Sequence, residues 1–167
     1  MSRLALNLAG ISLASAFAVS FVGPAGAQLM TQKSLSLAMA TTIAQTAIAT
    51  CKSQGYNVSA HVVGRNGEVL VAMRGDGTAP HTMENSMKKA YTSRTLRIPS
   101  GQFAANVKGN PTAGQLFLTN FVPAQGALPI MVGEDTIGAI GISGAPGGHK
   151  DEACAEVGIA RVAAGPD

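Results

Sequence analysis

The fold of this chain is decided by a stretch that runs NVSAHVVGRNGEVLVAMR over residues 57–74. Val58 and Val62 lie on one face of an alternating apolar and polar pattern, which is typical of a half-buried strand, and His61 points to the other face. Asn66-Gly67 then supplies two residues that readily adopt the positive φ of a tight hairpin turn. The stretch therefore predicts an antiparallel hairpin with strands at 57–64 and 68–74.

A second hairpin is predicted near the C-terminus, with strands at 128–132 and 137–143. Gly138 and Gly141 in its second strand are typical of places where another backbone or a ligand approaches closely. Spacings of three and four between apolar residues, together with caps and breakers, predict five helices. They are 31–54, capped by Thr31 and ended by Gly55; a helix capped by Thr82 that runs to about Arg97; Ser100–Val107; Asn110 to about Asn120; and Asp151–Ala163. The order requires no parallel sheet, so we expect an α/β protein of the α+β type, with a central antiparallel sheet flanked by helices.

Composition limits the class of protein. The 167 residues are 46% hydrophobic and 13% charged, with two cysteines and a formal charge of +3. High apolar content with low net charge excludes a disordered chain, and two cysteines exclude a small disulfide scaffold. The small positive excess disfavours a nucleic-acid-binding protein, which would carry a dense basic face. We expect a single globular domain.

The first 27 residues have the pattern of a secretory signal peptide. Arg3 precedes a long apolar run, and Ala25-Gly26-Ala27 supplies the small residues that signal peptidase requires. An uncleaved membrane anchor is the alternative, but Asn7 and Gly10 interrupt the run. Cleavage between Ala27 and Gln28 predicts a periplasmic or secreted protein with one domain at 28–167 and a charge of +2. No stable membrane insertion is expected after cleavage.

Export makes a disulfide between Cys51 and Cys154 possible, because disulfides persist in oxidising compartments. Two separate buried thiols, which behave as small apolar groups, are the alternative. The sequence does not decide between them, because a disulfide requires Cα atoms within about 7 Å of each other.

Charge is distributed unevenly along the chain. Residues 74–108 carry six basic side chains against two acidic ones, whereas residues 134–156 carry five acidic side chains against one basic. The two segments therefore have charges of +4 and −4. Two solvated faces would explain this pattern. Alternatively, the basic segment binds an anionic small molecule, or the two segments pair across the interface of a homo-oligomer.

The helix of the basic segment has residues suited to a bound cofactor. We expect one apolar side and a basic remainder, formed respectively by Met83, Met87, Ala90 and Tyr91, and by Lys88, Lys89, Arg94 and Arg97. His81 precedes the helix, and an imidazole in this position is a suitable ligand for haem iron. The methionines offer apolar surface to a porphyrin, and the cations would neutralise its propionates. The three histidines are far apart and no C-x-x-C occurs, which disfavours a clustered metal site.

Four stretches resemble the signatures of a known family. Residues 73–82 run MRGDGTAPHT and residues 88–92 run KKAYT, which are similar to its R-x-D-G-A and K-A-Y-T-A motifs. Residues 128–130 run LPI and residues 137–148 run IGAIGISGAPGG, which are similar to its G-G-x-P-I and G-A-I-G-V-S-G-A-P-G-G motifs. Over nearly all of residues 31–163 the chain resembles the GlcG/HbpS family, also called the haem-degrading or DUF336 domain.

The resemblance implies a profilin-like antiparallel sheet, assembly into dimers and larger rings, and haem as the cofactor, since some members bind it. Exported members are linked to haem or iron sensing and to haem breakdown. The K-A-Y-T motif makes Thr92 a haem-contacting hydroxyl, whereas His81 is chemically the stronger iron ligand. The predicted haem-binding set is His81, Thr82, Met87, Tyr91, Thr92 and Arg94. The chain departs from the family at Gly64, where Asp is usual, and at Ala127, where a second Gly is usual.

We therefore expect an exported haem- or tetrapyrrole-binding protein that acts in haem or iron sensing or handling. One alternative is an oligomeric interaction domain without a ligand. The other is an accessory enzyme that degrades haem or acts on a small anionic metabolite. For that enzyme the candidate acid–base groups are His81, Tyr91 and Asp76.

Overall fold

The computed structural model describes residues 28–163, so the predicted signal peptide lies outside the described residues. The described part contains four α-helices and four strands: α1 Leu37–Ser53, β1 Ser59–Val63, β2 Val69–Arg74, α2 His81–Leu96, α3 Ser100–Lys108, β3 Ala127–Val132, β4 Asp135–Ser143 and α4 Gly148–Ala163. A short 3₁₀ helix, Gly114–Phe117, lies between α3 and β3.

The four strands form one antiparallel sheet in the order β2-β1-β4-β3. Both predicted hairpins are confirmed, because β1 pairs with β2 and β3 pairs with β4. The hairpins join through β1 and β4, where His61 lies opposite Gly141. The expected α+β fold, with a central antiparallel sheet between helices, is therefore confirmed.

The two faces of the sheet carry different helices. Helices α1 and α4 cover the face formed by Val62, Ile140 and Ile142, and this is the main hydrophobic core. Ile43 of α1, Ile140 and Ile142 are fully buried, and burial of each such side chain stabilises the fold by about 1.5–3 kcal/mol. Helix α2 covers the other face. A Cβ at Gly141 would collide with the α2 backbone, so the predicted close approach at this glycine is confirmed, and the approaching group is another backbone.

Helix α1 begins six residues later than the predicted start at Thr31. Ser36 is its N-cap, and the Ser36 side chain accepts a hydrogen bond from the backbone N–H of Met39 at 3.2 Å. Leu35, just before the cap, is buried in the core, which fixes where the chain enters the helix. At the other end Gly55 has a φ of +83°, so the predicted stop at this glycine is confirmed.

Helix α2 does not bury the predicted apolar side. Met83 and Met87 are only half-buried, and the fully covered positions are mostly polar: Thr82, Ser86, Lys89, Ala90, Thr92 and Ser93. Thr82 is also not the cap, because the helix begins at His81 and the Thr82 hydroxyl donates to the Ala79 carbonyl at 2.8 Å. Helix α2 buries polar residues because the sheet presents polar side chains to it, and those side chains need hydrogen-bond partners.

The predicted helix from Asn110 to Asn120 is wrong. This segment forms turns and the single 3₁₀ turn Gly114–Phe117. Phe117 is 76% exposed and Leu118 is 54% exposed, so the segment buries no apolar face that would hold a longer helix against the domain. The last helix is longer than predicted and begins at Gly148 instead of Asp151.

A disulfide joins Cys51 of α1 to Cys154 of α4, with the two Cα atoms 5.6 Å apart. Of the two alternatives, the structure therefore has the disulfide rather than separate thiols. Helices α1 and α4 pack closely beside it, because a Cβ at Gly158 would lie 3.2 Å from the Ala47 side chain. The covalent bond thus links two helices that already share the main core.

Candidate functional site

A cleft of about 610 Å³ opens where the first half of α2 faces the glycine-rich loop 144–148. Helix α2 contributes His81, Thr82, Asn85 and Lys89 to the cleft, and Asp151 of α4 faces them. The loop lies here because β4 ends at Ser143 and Gly144 adopts a φ of +136° against the backbone of Asn57. A left-handed glycine therefore turns the chain from the sheet into α4 and forms one wall of the cleft.

A buried ion pair forms the floor of the cleft. Lys89 Nζ donates to Asp151 Oδ2 at 2.9 Å and to the Ile142 carbonyl at 3.0 Å. Asp151 Oδ1 accepts from the Ala145 backbone N–H at 3.0 Å. The two side chains are only 5% and 3% exposed. Lys89 therefore does not contribute an exposed charge to the basic side of α2, because Asp151 compensates its charge inside the protein.

Burial and pairing act in opposite directions on Asp151. Burial raises the pKa of its carboxyl above the ordinary value, and this effect exceeds the lowering by the Lys89 ammonium and by the Ala145 N–H. Such a carboxyl beside a cleft holds a proton more readily than an exposed aspartate does. The Lys89–Asp151 ion pair also connects the basic segment, residues 74–108, to the acidic segment, residues 134–156, within one chain.

Polar pairs connect α2 to the sheet beside the cleft. Thr82 is hydrogen-bonded to Ser59 of β1 at 2.8 Å, and Asn85 Nδ2 donates to Ser143 Oγ at 3.0 Å. His61 Nδ1 and Ser86 Oγ are 2.8 Å apart, and burial lowers the pKa of His61. The imidazole is therefore a neutral structural group that contacts α2 and not the cleft.

Of the six residues predicted to bind haem, His81 and Thr82 lie at the cleft. His81 is exposed at its edge, and its ring has no hydrogen-bond partner among the described residues. Thr82 is buried and its hydroxyl is engaged with Ala79 and Ser59. His81 is thus the predicted residue whose side chain is free to bind a ligand there.

The other four predicted residues lie elsewhere on α2. Thr92 is fully buried, and its Oγ1 accepts from the Val122 backbone N–H at 3.1 Å. Tyr91 and Arg94 line a second, smaller cavity near the end of the helix. Met87 is half-buried and lines neither cavity. The structure therefore does not bring the six residues together within one chain.

The departure at Gly64 has a local explanation. The carboxylate of Glu68 lies where a side chain at position 64 would project. It accepts a hydrogen bond from the Asn66 backbone N–H at 2.8 Å. The hairpin thus has a carboxylate beside position 64, although it is supplied by Glu68, which directly precedes β2.

Sequence reasoning missed Lys89 and Asp151 as a pair and did not include Asn85 or Ser143. Asp151 was predictable only as a favourable charge in the first turn of a helix. The available signal was a lysine within the 88–92 motif and an aspartate three residues after the 137–148 motif, and both side chains line the same cleft. In the part of the chain that the structure describes, no group of three or more His, Cys, Asp or Glu could hold a metal ion.

No helix among residues 28–163 is long and apolar enough to span a membrane.

Comparison with known proteins agrees with the fold and the motifs. The sequence model of the family described as haem degrading protein, HbpS-like, matches residues 35–160. The crystal structure of HbpS is 32% identical with a TM-score of 0.77, over 84% of this chain and 99% of that one. A double mutant of HbpS from Streptomyces reticuli is 31% identical with the same TM-score, over 87% of this chain and 98% of the other.

More distant structures share the fold. The Klebsiella pneumoniae protein ORFY, of the DUF336 family, is 25% identical with a TM-score of 0.71, over 80% of this chain and 96% of that one. A haem complex of PduOC is 21% identical with a TM-score of 0.72, over 78% and 96% of the two chains. The comparison with curated proteins found no match. The family match and the similarity to HbpS together establish that this chain belongs to the HbpS-like family of haem-degrading proteins.

Proposed function

We propose that this protein binds haem at the cleft between α2 and the 144–148 loop, with His81 as an iron ligand. The observation that carries the proposal is the free, exposed imidazole of His81 at the edge of a cleft of about 610 Å³. Histidine is a common axial ligand of haem iron. The volume lies within the range of about 300–1,000 Å³ that is typical of small-molecule sites.

The residues around the cleft fit a haem held at its mouth. Tyr56, Ala79 and Pro146 supply apolar surface for the porphyrin. Lys150 donates to the Tyr56 hydroxyl at 2.9 Å, so its ammonium lies close to the rim and is suited to a propionate. The floor is polar and already internally paired, so it would not accept the porphyrin ring. When bound, haem would supply a redox-active iron at this place.

Two comparisons support the proposal. Family membership makes a haem-related function the expectation for this chain, because the family is described as haem degrading. A protein of the same fold has been solved as a haem complex, which shows that the fold is compatible with the cofactor. The position of the ligand residues in this chain is our own inference from the cleft.

We also propose that the protein is exported and works as an oligomer in haem or iron handling. The pattern of residues 1–27 and the Cys51–Cys154 disulfide support export, because disulfides persist in oxidising compartments. Met131 and Val132 on the edge strand β3 are 43% and 38% exposed, which supports burial against a second copy.

Haem titration of the mature protein tests the binding proposal. We expect a shifted Soret band that saturates at one haem per cleft, and a different band position or weaker binding in His81→Ala. The matched control is His149→Ala, since His149 is also exposed but does not line the cleft. An unchanged spectrum in His81→Ala would exclude His81 as a ligand, and no saturable binding would exclude the function.

Haem degradation is the second candidate, supported by the description of the family. It requires the haem-loaded protein to consume haem when a reductant and oxygen are supplied. Loss of the Soret band with formation of a linear tetrapyrrole, faster than with haem alone, would support it. A stable spectrum under the same conditions would leave binding as the function.

A further inference from the structure

A second cavity, of about 270 Å³, lies near the end of α2. We call it the arginine pocket. It is lined by the β1–β2 turn and by the last turns of α2: Arg65, Asn66, Gly67, Tyr91, Arg94 and Thr95. Arg94 follows His81 by 13 helical residues, which corresponds to about 20 Å along the axis. One haem with its iron on His81 therefore does not reach Arg94 in the same chain, and the arginine pocket needs its own explanation.

Arg94 is incompletely paired within the described residues. Its Nε is buried and has no hydrogen-bond partner there. Burial lowers the pKa of Arg94, and the positive charges of Arg97 and Arg65 lower it further. A buried donor without an acceptor is unfavourable, and a guanidinium among other guanidiniums is more so. The chain thus keeps a cation where its own residues provide too few acceptors.

The acidic residues nearby do not supply the hydrogen-bond acceptor that Arg94 lacks. Asp135 is engaged by both terminal nitrogens of Arg65, one of them at 3.0 Å, and Arg65 Nε also donates to the Lys33 carbonyl. The Glu68 carboxylate is exposed and accepts from the Asn66 N–H. Three arginines therefore face two carboxylates, of which one is committed to Arg65.

Arg97 adds a second, independent observation. Its φ of +60° makes it the only non-glycine residue with positive φ among residues 28–163. It occupies the position after α2 where glycine or asparagine is favoured, because other side chains are strained in the left-handed conformation. An arginine here keeps a third cation close to Arg94 although a glycine would relax the backbone. Strain of this kind is concentrated at functional sites.

We propose that the arginine pocket binds the oxyanion group, a carboxylate or a phosphate, of a small molecule. The planar guanidinium of Arg94 offers N–H donors in a geometry that matches such groups, and the oxyanion would supply the missing acceptors. Tyr91 lines the same cavity and provides one ring wall and a hydroxyl. The small volume limits the ligand to a few heavy atoms beyond the oxyanion. This site is separate from the proposed haem site.

Calorimetric titration of the purified protein with inorganic phosphate, and separately with malonate, tests the proposal at constant ionic strength. We expect saturable binding of one or both anions. The anion that binds more tightly shows whether the pocket prefers a phosphate or a carboxylate group. Arg94→Gln should weaken binding by about tenfold or more, as expected for a lost charge-assisted hydrogen bond. The control Lys108→Gln removes the same charge from the exposed end of α3 and should leave affinity within about twofold.

Arg97→Gly separates binding from folding. The variant should raise the thermal midpoint of the ligand-free protein, because it relaxes the backbone, and should weaken anion binding, because it removes a cation. It also decides the question if Arg94→Gln does not fold. The proposal is overturned if neither anion binds saturably up to about 10 mM, if Arg97→Gly leaves affinity unchanged, or if Lys108→Gln weakens binding equally.

Discussion

Breaking the Lys89–Asp151 pair should be among the most damaging single changes in this protein. In Asp151→Asn the amide can still accept the Ala145 N–H, but the Lys89 ammonium, 5% exposed, keeps no opposite charge. Removing one partner of a buried pair lowers the free energy of unfolding by about 3–5 kcal/mol. For a domain of this size that corresponds to a fall in the thermal midpoint of about 6–20 °C.

Urea unfolding followed by circular dichroism measures the loss. The control is Glu156→Gln, which makes the same chemical change on the exposed surface of α4 and should alter stability by less than about 0.5 kcal/mol. The double variant Lys89→Met with Asp151→Asn should lose less than the sum of the single variants, because it leaves no unpaired charge. A loss below about 1 kcal/mol in Asp151→Asn would refute the buried-pair reasoning.

The pH dependence of Lys89→Met gives the sign of the effect. Burial raises the folded-state pKa of Asp151 above its unfolded value, so its contribution is complete below the unfolded value and is lost as pH rises through the folded-state pKa. Lys89 is the group that most strongly opposes this rise, so the pKa of Asp151 should be raised further in Lys89→Met. The loss of unfolding free energy in Lys89→Met should therefore be largest near pH 7, where Asp151 is charged and unpaired. It should shrink as pH falls through the folded-state pKa of Asp151. A pH-independent loss would contradict it.

Three further results are expected. Replacing Cys51 and Cys154 by alanine should lower the free energy of unfolding by about 4–5 kcal/mol, because the bond closes a loop of 103 residues; equal stability of the oxidised and reduced wild type would contradict this. Burial lowers the folded-state pKa of His61, so the stabilisation by neutral His61 should be complete above pH 6.5 and be lost as pH falls below that value. The free energy of unfolding, measured at pH 7.5 and 5.5, should therefore fall less in His61→Gln than in the wild type. Gly141→Ala should lose about 1–3 kcal/mol because its Cβ meets the α2 backbone, whereas Gly109→Ala, with open space around it, should unfold at nearly the wild-type urea concentration.

Local patterns predicted the sheet well because each depends on residues close in sequence. The alternation around Val58 and Val62, with the Asn66-Gly67 turn, places β1 and β2 within one or two residues of their observed ends. Helix ends were less predictable. Ser36 and Thr31 can both cap a helix, and the burial of Leu35 favours the cap at Ser36.

The candidate site was predicted only in part, because sequence reasoning placed the whole haem-binding set along α2, and the fold distributes those residues between different cavities. The methionines were expected to form an apolar side that a porphyrin covers. The sheet instead presents Ser59 and His61 to α2, and polar side chains of the helix cover them. The Lys89 ammonium faces Asp151, which is 62 residues away, and no local rule links the two. His81 was proposed because a histidine beside a helix start is visible in the sequence itself, whereas its exposure at the cleft depends on the fold.

The sequence by itself determined the two hairpins, the order of helices and strands apart from the helix wrongly predicted at 110–120, and, through its motifs, the resemblance to the HbpS-like family. All of these depend on spacings within short segments, where backbone geometry links pattern to structure. Only the tertiary structure decided that the cysteines form a bond, that Lys89 is buried against Asp151, and that His81 and Arg94 belong to different cavities. Those outcomes depend on which distant residues meet in space. The free energy of a buried charge or thiol depends on its burial and on its partner far more than on the residues next to it in the chain.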